Sequence, residues 1–275
     1  MPEKRFHPQV YELRPWYHDF ARLGLQTVFD EPPHIGARAV DLLRRLAAAA
    51  RRAAGVHAVE KGERFSMRTL LAGAPPSHRV NQRDKEQVVI PLIQQALQGL
   101  EGAPSCLDLF CADGYYSCTI AHLCPAAAIT GVDLDPAEIR RAETAARLLG
   151  VAKARFVVAD VVDFVRQAAP HDLILCTGGL YHLQEPRHLL QRLYPISTHF
   201  LVVQSVVTLE SESPDYFVSP APGWKHGSRF THAALRRWLE EIGWEIVAAA
   251  RNELSGNSRP CDRGSSYFLC HKGAP

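Results

Sequence analysis

The chain has 275 residues, of which 47% are hydrophobic and 22% are charged. This composition is typical of a globular protein and excludes the fibrous and disordered classes. A net charge of +2 is too small to indicate a nucleic-acid partner by itself. The seven cysteines form no CxxC pair, which predicts reduced thiols. No apolar run is long enough to cross a bilayer, so we expect a cytoplasmic protein without membrane contact.

The first 80 residues show helical patterns and no strand rhythm. Residues 41–54 (DLLRRLAAAARRAA) predict a helix, and the Pro75-Pro76 pair predicts a break in the chain. Residues 85–98 then predict a helix with one apolar face. The expected organisation is therefore a helical N-terminal cap over residues 1–84, followed by an α/β domain over residues 85–275.

From residue 105 onward, apolar strands alternate with helical segments. This alternation is typical of a doubly wound, mostly parallel sheet whose strands are joined by right-handed crossovers. Seven strands are predicted, near residues 105–110, 128–133, 154–159, 172–177, 199–206, 245–250 and 266–271. A Ser-, Pro- and Gly-rich stretch at residues 208–230 interrupts this rhythm, and its length predicts a functional lid.

Three predicted strands end in an acidic residue. The first leads into residues 108–114 (DLFCADG), a tight turn that opens a helix at Tyr115. The second ends at Asp133, and the third leads to Asp160. In an open α/β sheet, ligands bind at the carboxyl ends of the strands, where the N–H groups of a helix start face the ligand. The pattern predicts one polar, nucleoside-shaped ligand.

The strands, the acids at the ends of the first three, and the segment DLILCTGGLYHL at the fourth resemble a class I S-adenosylmethionine (SAM) dependent methyltransferase over residues 85–271. The segments LRPWYHDF, GLYHL and WKHGSRFT resemble the branch related to the tRNA wobble-uridine carboxymethyl transferases. The resemblance implies a Rossmann-like sheet of order 3-2-1-4-5-7-6 with the last strand antiparallel, and SAM as the cofactor.

The resemblance also implies roles for residues at the predicted strand ends. Asp108 would orient the turn and the methionine amino group, and Ala112 and Gly114 would let the backbone approach the cofactor. Asp133 would accept hydrogen bonds from the ribose hydroxyls. The family usually has glycine where Phe110 and Ala112 stand. Ala112 is tolerable with a negative φ, and the Phe110 ring must point away from the ligand or narrow the pocket.

Further roles fall at the third and fourth strands. Asp160 would accept from the adenine amine while the Val161 N–H faces the ring. Thr177 and Gly178 would line the opening through which the methyl group leaves. Tyr181 and His182 are the catalytic candidates, because they follow the Gly-Gly turn at the end of the fourth strand. The alternative interpretation is that Tyr181 packs under the lid and that His182 caps the next helix.

The remaining candidates are lid or substrate residues, for which packing or solvation is the alternative interpretation. They are Trp16, Tyr17, His18, Tyr115, Ser205, Trp224 and His226. No metal site is predicted, because Cys118, His122 and Cys124 lack a fourth partner at useful spacing. Asp133 and Asp160 taken singly could be helix caps. A nicotinamide-dependent dehydrogenase would need G-x-G-x-x-G, of which only Gly114 is present.

The function predicted from these residues is SAM-dependent methyl transfer to N, O or C of a small molecule. Three alternatives remain open. The first is a tRNA-modifying transferase, and the second is a SAM-using enzyme without methyl transfer, such as a cyclase that forms azetidine-2-carboxylate. The third is a non-catalytic SAM-binding protein. The sequence identifies neither the acceptor nor the oligomeric state.

Overall fold

The computed structural model describes residues 7–28 and 76–273, so the predicted helix at 41–54 lies outside the described residues. Nine strands are described within these ranges: β1 (Ser105–Leu109), β2 (Ala128–Asp133), β3 (Ala154–Val158), β4 (His171–Thr177), β5 (Ser197–Val207), β6 (Phe217–Val218), β7 (Arg229–Phe230), β8 (Trp244–Glu253) and β9 (Gly264–Lys272). Seven of them form one sheet in the order β3-β2-β1-β4-β5-β9-β8. Strands β1 to β5 are parallel, and β9 is antiparallel to both of its neighbours. The predicted fold class and strand order are confirmed.

Helices cover both faces of this sheet. They are α1 (Pro8–Glu12), α2 (Pro76–Gln98), α3 (Tyr115–Leu123), α4 (Pro136–Leu148), α5 (Val161–Phe164), α6 (Pro186–Ile196), α7 (His232–Ile242) and α8 (Pro260–Arg263), with 3-10 turns at Phe20–Leu23 and Leu180–His182. One hydrophobic core lies between the sheet and α2, α3 and α4. The second lies on the opposite face, against α5, α6 and α7. This is the doubly wound arrangement that alternating strands and helices predict.

Helix α2 begins at Pro76, earlier than the predicted start at residue 85. Proline is compatible with the first turn of a helix, because the N–H that it lacks has no intrahelical partner there. The last residues of α2 lead into the start of β1. Its N-terminal half therefore lies toward the carboxyl ends of the parallel strands, where the candidate site is expected.

The start of helix α4 follows the predicted capping pattern in part. The Asp135 carboxylate accepts a hydrogen bond from the Ala137 N–H at 2.7 Å, and Pro136 occupies the first helical position. Glu138 does not complete a capping box, since it pairs with Arg141 at 2.8 Å. The helix start was therefore predicted correctly, but only the aspartate half of the box is formed.

Two segments outside the core sheet reach its carboxyl edge. The described N-terminal segment, residues 7–28, lies across α4, where Arg141 Nε donates to the Leu13 carbonyl at 2.7 Å. Residues 208–230 contain the antiparallel pair of β6 and β7, which the sequence did not predict. Among the described residues, no helix is long and apolar enough to span a membrane.

Candidate cofactor and acceptor site at the strand ends

The turn after β1 adopts a left-handed backbone at residues that are not glycine. Phe110 has a φ of +60° and Ala112 a φ of +46°. Ala112 therefore does not meet the condition of a negative φ under which alanine was expected to be tolerated there. A left-handed backbone costs an L-residue about 1–2 kcal/mol, and part of the compensation is visible, since the Ala112 N–H donates to Asp133 Oδ2 at 3.0 Å. The turn keeps a conformation that suits glycine because its neighbours hold it there.

The Phe110 ring packs against the turn that follows β4. A Cβ added to Gly179 would lie 1.9 Å from Phe110 Cγ, so the ring occupies the space that any larger residue at 179 would need. The ring also contacts the second core, below the strand ends. Gly179 has a φ of −119°, which any residue adopts. Glycine is therefore required at 179 by space rather than by backbone conformation.

Gly114 is glycine for two reasons that are both visible in the structure. Its φ of +77° lies in the left-handed region, and it is the N-cap residue of α3. A Cβ there would also lie 2.7 Å from the Ala142 Cβ. Gly114 thus allows α3 and α4 to pack closely, a contact that the sequence did not predict.

Asp133 at the end of β2 accepts hydrogen bonds that hold the turn after β1. Its Oδ2 accepts from the Ala112 N–H at 3.0 Å and its Oδ1 accepts from the Asp135 N–H at 2.9 Å. Each carboxylate oxygen has a second lone pair, so the side chain can still accept from a diol. Burial raises the pKa of Asp133, although these backbone hydrogen bonds oppose the shift. Beside it, Leu134 is 62% exposed, and sequence reasoning missed this apolar surface.

Asp160 at the end of β3 caps helix α5. Its Oδ1 accepts from the Val162 N–H at 2.7 Å and from the Asp163 N–H at 3.3 Å. The alternative interpretation of Asp160 as a helix cap is confirmed, whereas Asp133 caps no helix. Val161 is buried at the start of the same helix. Asp160 and Val161 therefore lie at the same carboxyl edge of the sheet as Asp133.

Asp108 is fully buried at the end of β1. Its Oδ2 accepts from Ser117 Oγ at 2.6 Å, while its Oδ1 is buried and has no partner in the described part of the chain. Burial raises the pKa of the Asp108 carboxyl to about 7. A buried carboxylate oxygen without a donor is unfavourable, so the site fits a ligand that brings a donor.

His18 is held against the turn after β1 by Asp113. The His18 Nδ1 lies 2.7 Å from Asp113 Oδ1, and the His18 N–H donates to Asp113 Oδ2 at 2.8 Å. The imidazole also stacks on Tyr115, with ring centroids 4.7 Å apart and planes at 5°. Burial would lower the pKa of His18, but Asp113, by its charge and hydrogen bond, and Glu86 raise it above the ordinary value. The sequence singled out His18 but gave no signal for Asp113.

Helix α2 contributes two buried charged residues that sequence reasoning also missed. Lys85 is 7% exposed, and burial lowers the pKa of its amine to about 8. Glu86 is 6% exposed, accepts from the Tyr115 hydroxyl at 3.3 Å, and has its pKa raised by burial. The charge of Glu86 raises the pKa of His18, and the charge of Lys85 lowers it. Charged residues are rarely buried unless they are paired or functional, so Lys85 and Glu86 indicate a functional role for this side of the site.

The fourth strand ends at buried Thr177 and continues through Gly178 into the 3-10 turn at Leu180–His182. Gly178 has a φ of +77°, and no atom lies within 4 Å of the position a Cβ would take. The space above it is therefore open. Tyr181 is half-buried and His182 is exposed, with their ring centroids 4.1 Å apart. His182 does not supply a side-chain cap to α6, whose N-cap residue is Glu185.

The 208–230 segment is hydrogen-bonded to the Tyr181 backbone. The Ser228 N–H donates to the Tyr181 carbonyl at 3.0 Å, and Arg229 Nη1 donates to the same oxygen at 3.4 Å. Arg229 Nε donates to Asp262 Oδ1 at 2.7 Å. Burial raises the pKa of the Tyr181 phenol, and the nearby Tyr17 adds to this shift. The Tyr181 hydroxyl is therefore a neutral donor near pH 7.

Three other lid candidates, Trp16, Tyr17 and Ser205, differ in burial and in the groups that they contact. Trp16 is buried and its Nε1 donates to the Val10 carbonyl at 2.8 Å, which agrees with a core role in the N-terminal segment. Tyr17 is half-buried and stacks with His78 at 6.0 Å. The Ser205 hydroxyl is fully buried in β5 and donates to the Val206 carbonyl at 3.0 Å.

The two candidates in the 208–230 segment differ in exposure. Trp224 is half-buried, and its Nε1 is buried without a partner. His226 is exposed. Within the part of the chain that the structure describes, no three His, Cys, Asp or Glu residues are grouped to hold a metal ion.

Comparison with known proteins places this site in a family context. Residues 106–197 match a family described as "Methyltransferase domain". The chain is 31% identical over 146 residues to a trans-aconitate 2-methyltransferase of Escherichia fergusonii, a match that covers 53% of this chain and 48% of that protein. The chain spans at most about half the length of the curated relatives that it matches.

Solved structures share the fold at low identity. Magnesium protoporphyrin IX methyltransferase from Synechocystis PCC 6803 with bound SAM has a TM-score of 0.54 at 14% identity, over 88% of this chain and 100% of that chain. The [4+2]-cyclase SpnF has a TM-score of 0.56 at 16% identity, over 86% of this chain and 97% of that chain.

The matched domain and the fold agree with each other. Residues 106–197 match the methyltransferase domain family, and the sheet has the fold of the solved methyltransferase. Among the described residues, the buried atoms Asp108 Oδ1, His18 Nε2 and Tyr116 Oη have no hydrogen-bond partner, which fits a polar ligand at this site.

Proposed function

We propose that this protein transfers the methyl group of SAM to a small-molecule acceptor bound beside Tyr181. The observation that carries this proposal is the convergence of Asp108, Asp133 and Asp160 at three adjacent strand ends, next to the open space above Gly178. The cofactor supplies an already activated methyl group, so the residues need only bind, align and exclude water. The relative that acts on trans-aconitate by name supports a small acceptor.

The cofactor side of the site is proposed to recognise the parts of SAM in turn. Asp133 accepts from the ribose hydroxyls through its free lone pairs. Asp160 and the Val161 N–H face the adenine, with Leu134 as an apolar surface beside it. The buried Asp108 serves the methionine amino group. Ala112, Gly114, Thr177 and Gly178 complete the walls along the turns.

The acceptor side is proposed to act through Tyr181, with His182 as the second candidate. A neutral phenol can hold an acceptor oxygen or nitrogen in line, and the ring face attracts the positive sulfur. Exposed His182 can take up the released proton. The segments at 7–28 and 208–230 are proposed as lids, and Trp16, Tyr17, His18, Tyr115, Ser205, Trp224 and His226 remain their candidate residues.

The lids support a small acceptor over RNA. One lid is bonded to the cofactor turn through His18 and Asp113, and the other to the Tyr181 carbonyl through Ser228 and Arg229. Two segments that close over the strand ends would admit a small molecule more readily than a folded RNA. The proposed division into a cap (1–84) and a catalytic domain (85–275) follows the same separation of lid and sheet, although α2 crosses its boundary.

A second candidate is cyclisation of SAM itself, which tyrosine side chains such as Tyr115 and Tyr181 around the strand ends also suit. In that reaction the α-amine attacks the side-chain carbon attached to sulfur, the carbon–sulfur bond breaks, and azetidine-2-carboxylate, methylthioadenosine and a proton are released. In methyl transfer the acceptor gains the methyl group, S-adenosylhomocysteine (SAH) leaves, and the proton of an N–H or O–H acceptor is released. The two reactions therefore give different adenosyl products.

The test is to incubate the purified protein with SAM and to identify every product by mass spectrometry. Three arms are needed: SAM alone, SAM with a panel of di- and tricarboxylic acids, and SAM with bulk tRNA. We expect SAH and a methylated acid only in the second arm. Methylthioadenosine in the first arm would replace this proposal with cyclisation, and methylated tRNA would replace it with RNA modification. No product in any arm, with SAM bound, would favour a non-catalytic binding protein. Asp133→Ala is the negative control.

A further inference from the structure

We propose that His18 Nε2 donates a hydrogen bond to the carboxylate of the methionine moiety of bound cofactor, and that Asp113 positions the imidazole for this contact. The inference rests on the proposed function, because it assumes that SAM and SAH bind at the β1 turn. It assigns a specific cofactor contact to the N-terminal segment.

The His18 ring and backbone are held by contacts with four residues. Asp113 holds Nδ1 at 2.7 Å with one carboxylate oxygen and the His18 N–H at 2.8 Å with the other. Tyr115 stacks on one face of the ring, and the edge of Tyr116 approaches at 5.4 Å. Thr27 Oγ1 donates to the His18 carbonyl at 2.7 Å. With Nδ1 used by Asp113, only Nε2 is left to meet a ligand.

Nε2 is buried and has no hydrogen-bond partner among the described residues. The His18 side chain is 5% exposed overall. A buried donor or acceptor that makes no hydrogen bond destabilises the folded state by about 1–3 kcal/mol. Asp113 adjacent to Nδ1 favours the protonated ring, which makes Nε2 a donor. The group that fits there is an anionic acceptor.

The surrounding charges are arranged for a zwitterion. Acidic groups come from β1 and α2, as Asp108 and Glu86, and cationic groups come from α2 and the N-terminal segment, as Lys85 and His18. The unpartnered Asp108 Oδ1 is a ready acceptor for an ammonium group. An α-amino acid carries one ammonium and one carboxylate on the same carbon. The two signs of charge in the cluster therefore match the methionine end of the cofactor and not its adenosine end.

Three ligands distinguish which part of the cofactor His18 contacts. SAH carries the whole amino acid, decarboxylated SAH keeps the amine but lacks the carboxylate, and methylthioadenosine lacks both. The variant His18→Asn keeps a side-chain amide near Nδ1 that can still donate to Asp113, and it removes the inward nitrogen. Calorimetry gives the dissociation constant of each ligand for wild type and variant, and thermal unfolding confirms that the variant is folded.

We expect His18→Asn to weaken SAH binding about tenfold or more, because a hydrogen bond to a charged group is lost. Decarboxylated SAH and methylthioadenosine should change by less than about threefold. Unchanged SAH affinity would overturn the inference. Equal losses for SAH and decarboxylated SAH would overturn the assignment to the carboxylate, and equal losses for all three ligands would reduce His18 to a structural residue.

The second variant, His18→Gln, guards against a failure of His18→Asn to fold. Its amide reaches the position of Nε2 and gives up the contact with Asp113, so it should bind SAH more tightly than His18→Asn does. The reverse order would overturn the inference. If wild-type protein binds none of the three ligands, the proposed function fails. If wild type binds SAH and the variants bind it equally well, only the role of His18 fails.

Discussion

The two halves of the site are built in different ways. At the ends of β1, β2 and β3, carboxylates hold the backbone, as where Asp133 accepts from the Ala112 and Asp135 N–H groups. At the end of β4, the Tyr181 turn is held through its carbonyl by residues from the 208–230 segment. In the proposed cofactor half, Asp108 is buried and Asp133 half-buried close to the sheet. The proposed acceptor half depends on loops that come from distant parts of the chain.

This difference indicates which half is committed to one ligand. Buried carboxylates with raised pKa values are unfavourable in the free protein and suit a fixed polar partner. Loops that carry an aromatic residue and an exposed histidine can vary without disturbing the sheet. We therefore expect variants of the cofactor half to change affinity or stability, and variants of the acceptor half to change turnover.

The largest expected effect is on cofactor affinity in Asp133→Ala. The variant loses a bidentate acceptor and the brace of the Ala112 N–H, so SAH should bind about 100-fold more weakly, or about 2.7 kcal/mol. Asp160→Ala should also lose affinity, and helix stability by about 1 kcal/mol, because a cap is removed. Calorimetry measures both. Asp135→Ala is the matched control, since it removes only a cap. Wild-type affinity in both Asp133→Ala and Asp160→Ala would contradict the cofactor assignment.

Asp108 should show that the cofactor half is stabilised by its ligand. Its folded pKa of about 7 lies above the value of 3.8 in an unfolded chain. The ionised form is therefore disfavoured by folding, and stability falls as pH rises from about 4 to about 7. Asp108→Asn removes this titration, so the ligand-free variant should gain on the order of 2 kcal/mol at pH 8 and less at pH 5.

Urea unfolding of the ligand-free protein at the two pH values measures this difference. SAH binding should be weaker in Asp108→Asn even where the free variant is more stable, since function and stability are opposed at this residue. Equal gains at pH 5 and pH 8, or a loss at pH 8, would show that burial of the Asp108 charge is not what lowers stability.

The contact between the halves is tested by Gly179→Ala. The added methyl group meets the Phe110 ring, so the unfolding free energy should fall by about 1–3 kcal/mol. In a Phe110→Ala background the same change should be tolerated, which appears as coupling in a double-mutant cycle. Gly178→Ala is the control, because a Cβ there meets open space and only the φ of +77° is unfavourable. Purely additive effects of Phe110→Ala and Gly179→Ala would disprove the contact.

The smallest expected change in affinity is that of the Tyr181 variants. Tyr181→Phe keeps the ring face and loses the hydroxyl, whereas Tyr181→Ala loses both. With whichever substrate the SAM incubation identifies, kcat should fall in the order wild type, Phe, Ala, while the SAH dissociation constant changes by less than about tenfold, or 1.4 kcal/mol. Wild-type turnover in Tyr181→Ala would move the chemistry to His182 or to the N-terminal segment.

Much of the cofactor half could be predicted from sequence. Parallel strands read as short runs rich in apolar residues, so β1 to β4 were placed within one residue of their observed bounds. Asp108, Asp133 and Asp160 stand at or just after the ends of such runs, and their proximity follows from the order of parallel strands. Helix α7, with Thr231 as N-cap and Gly243 after its end, carries both boundary signals locally.

The remaining features depend on contacts between residues far apart in the chain. The sequence indicated the class of fold and the strand-end acids, because strand runs, caps and turns are encoded within a few neighbouring residues. Only the tertiary structure decided that Asp113 pairs with His18, 95 positions away. It also decided that Phe110 fills the space at Gly179. Such pairs leave no local sequence pattern, since each residue by itself is compatible with its own helix, strand or turn. The two residues come into contact only when distant parts of the chain fold together at the turn after β1.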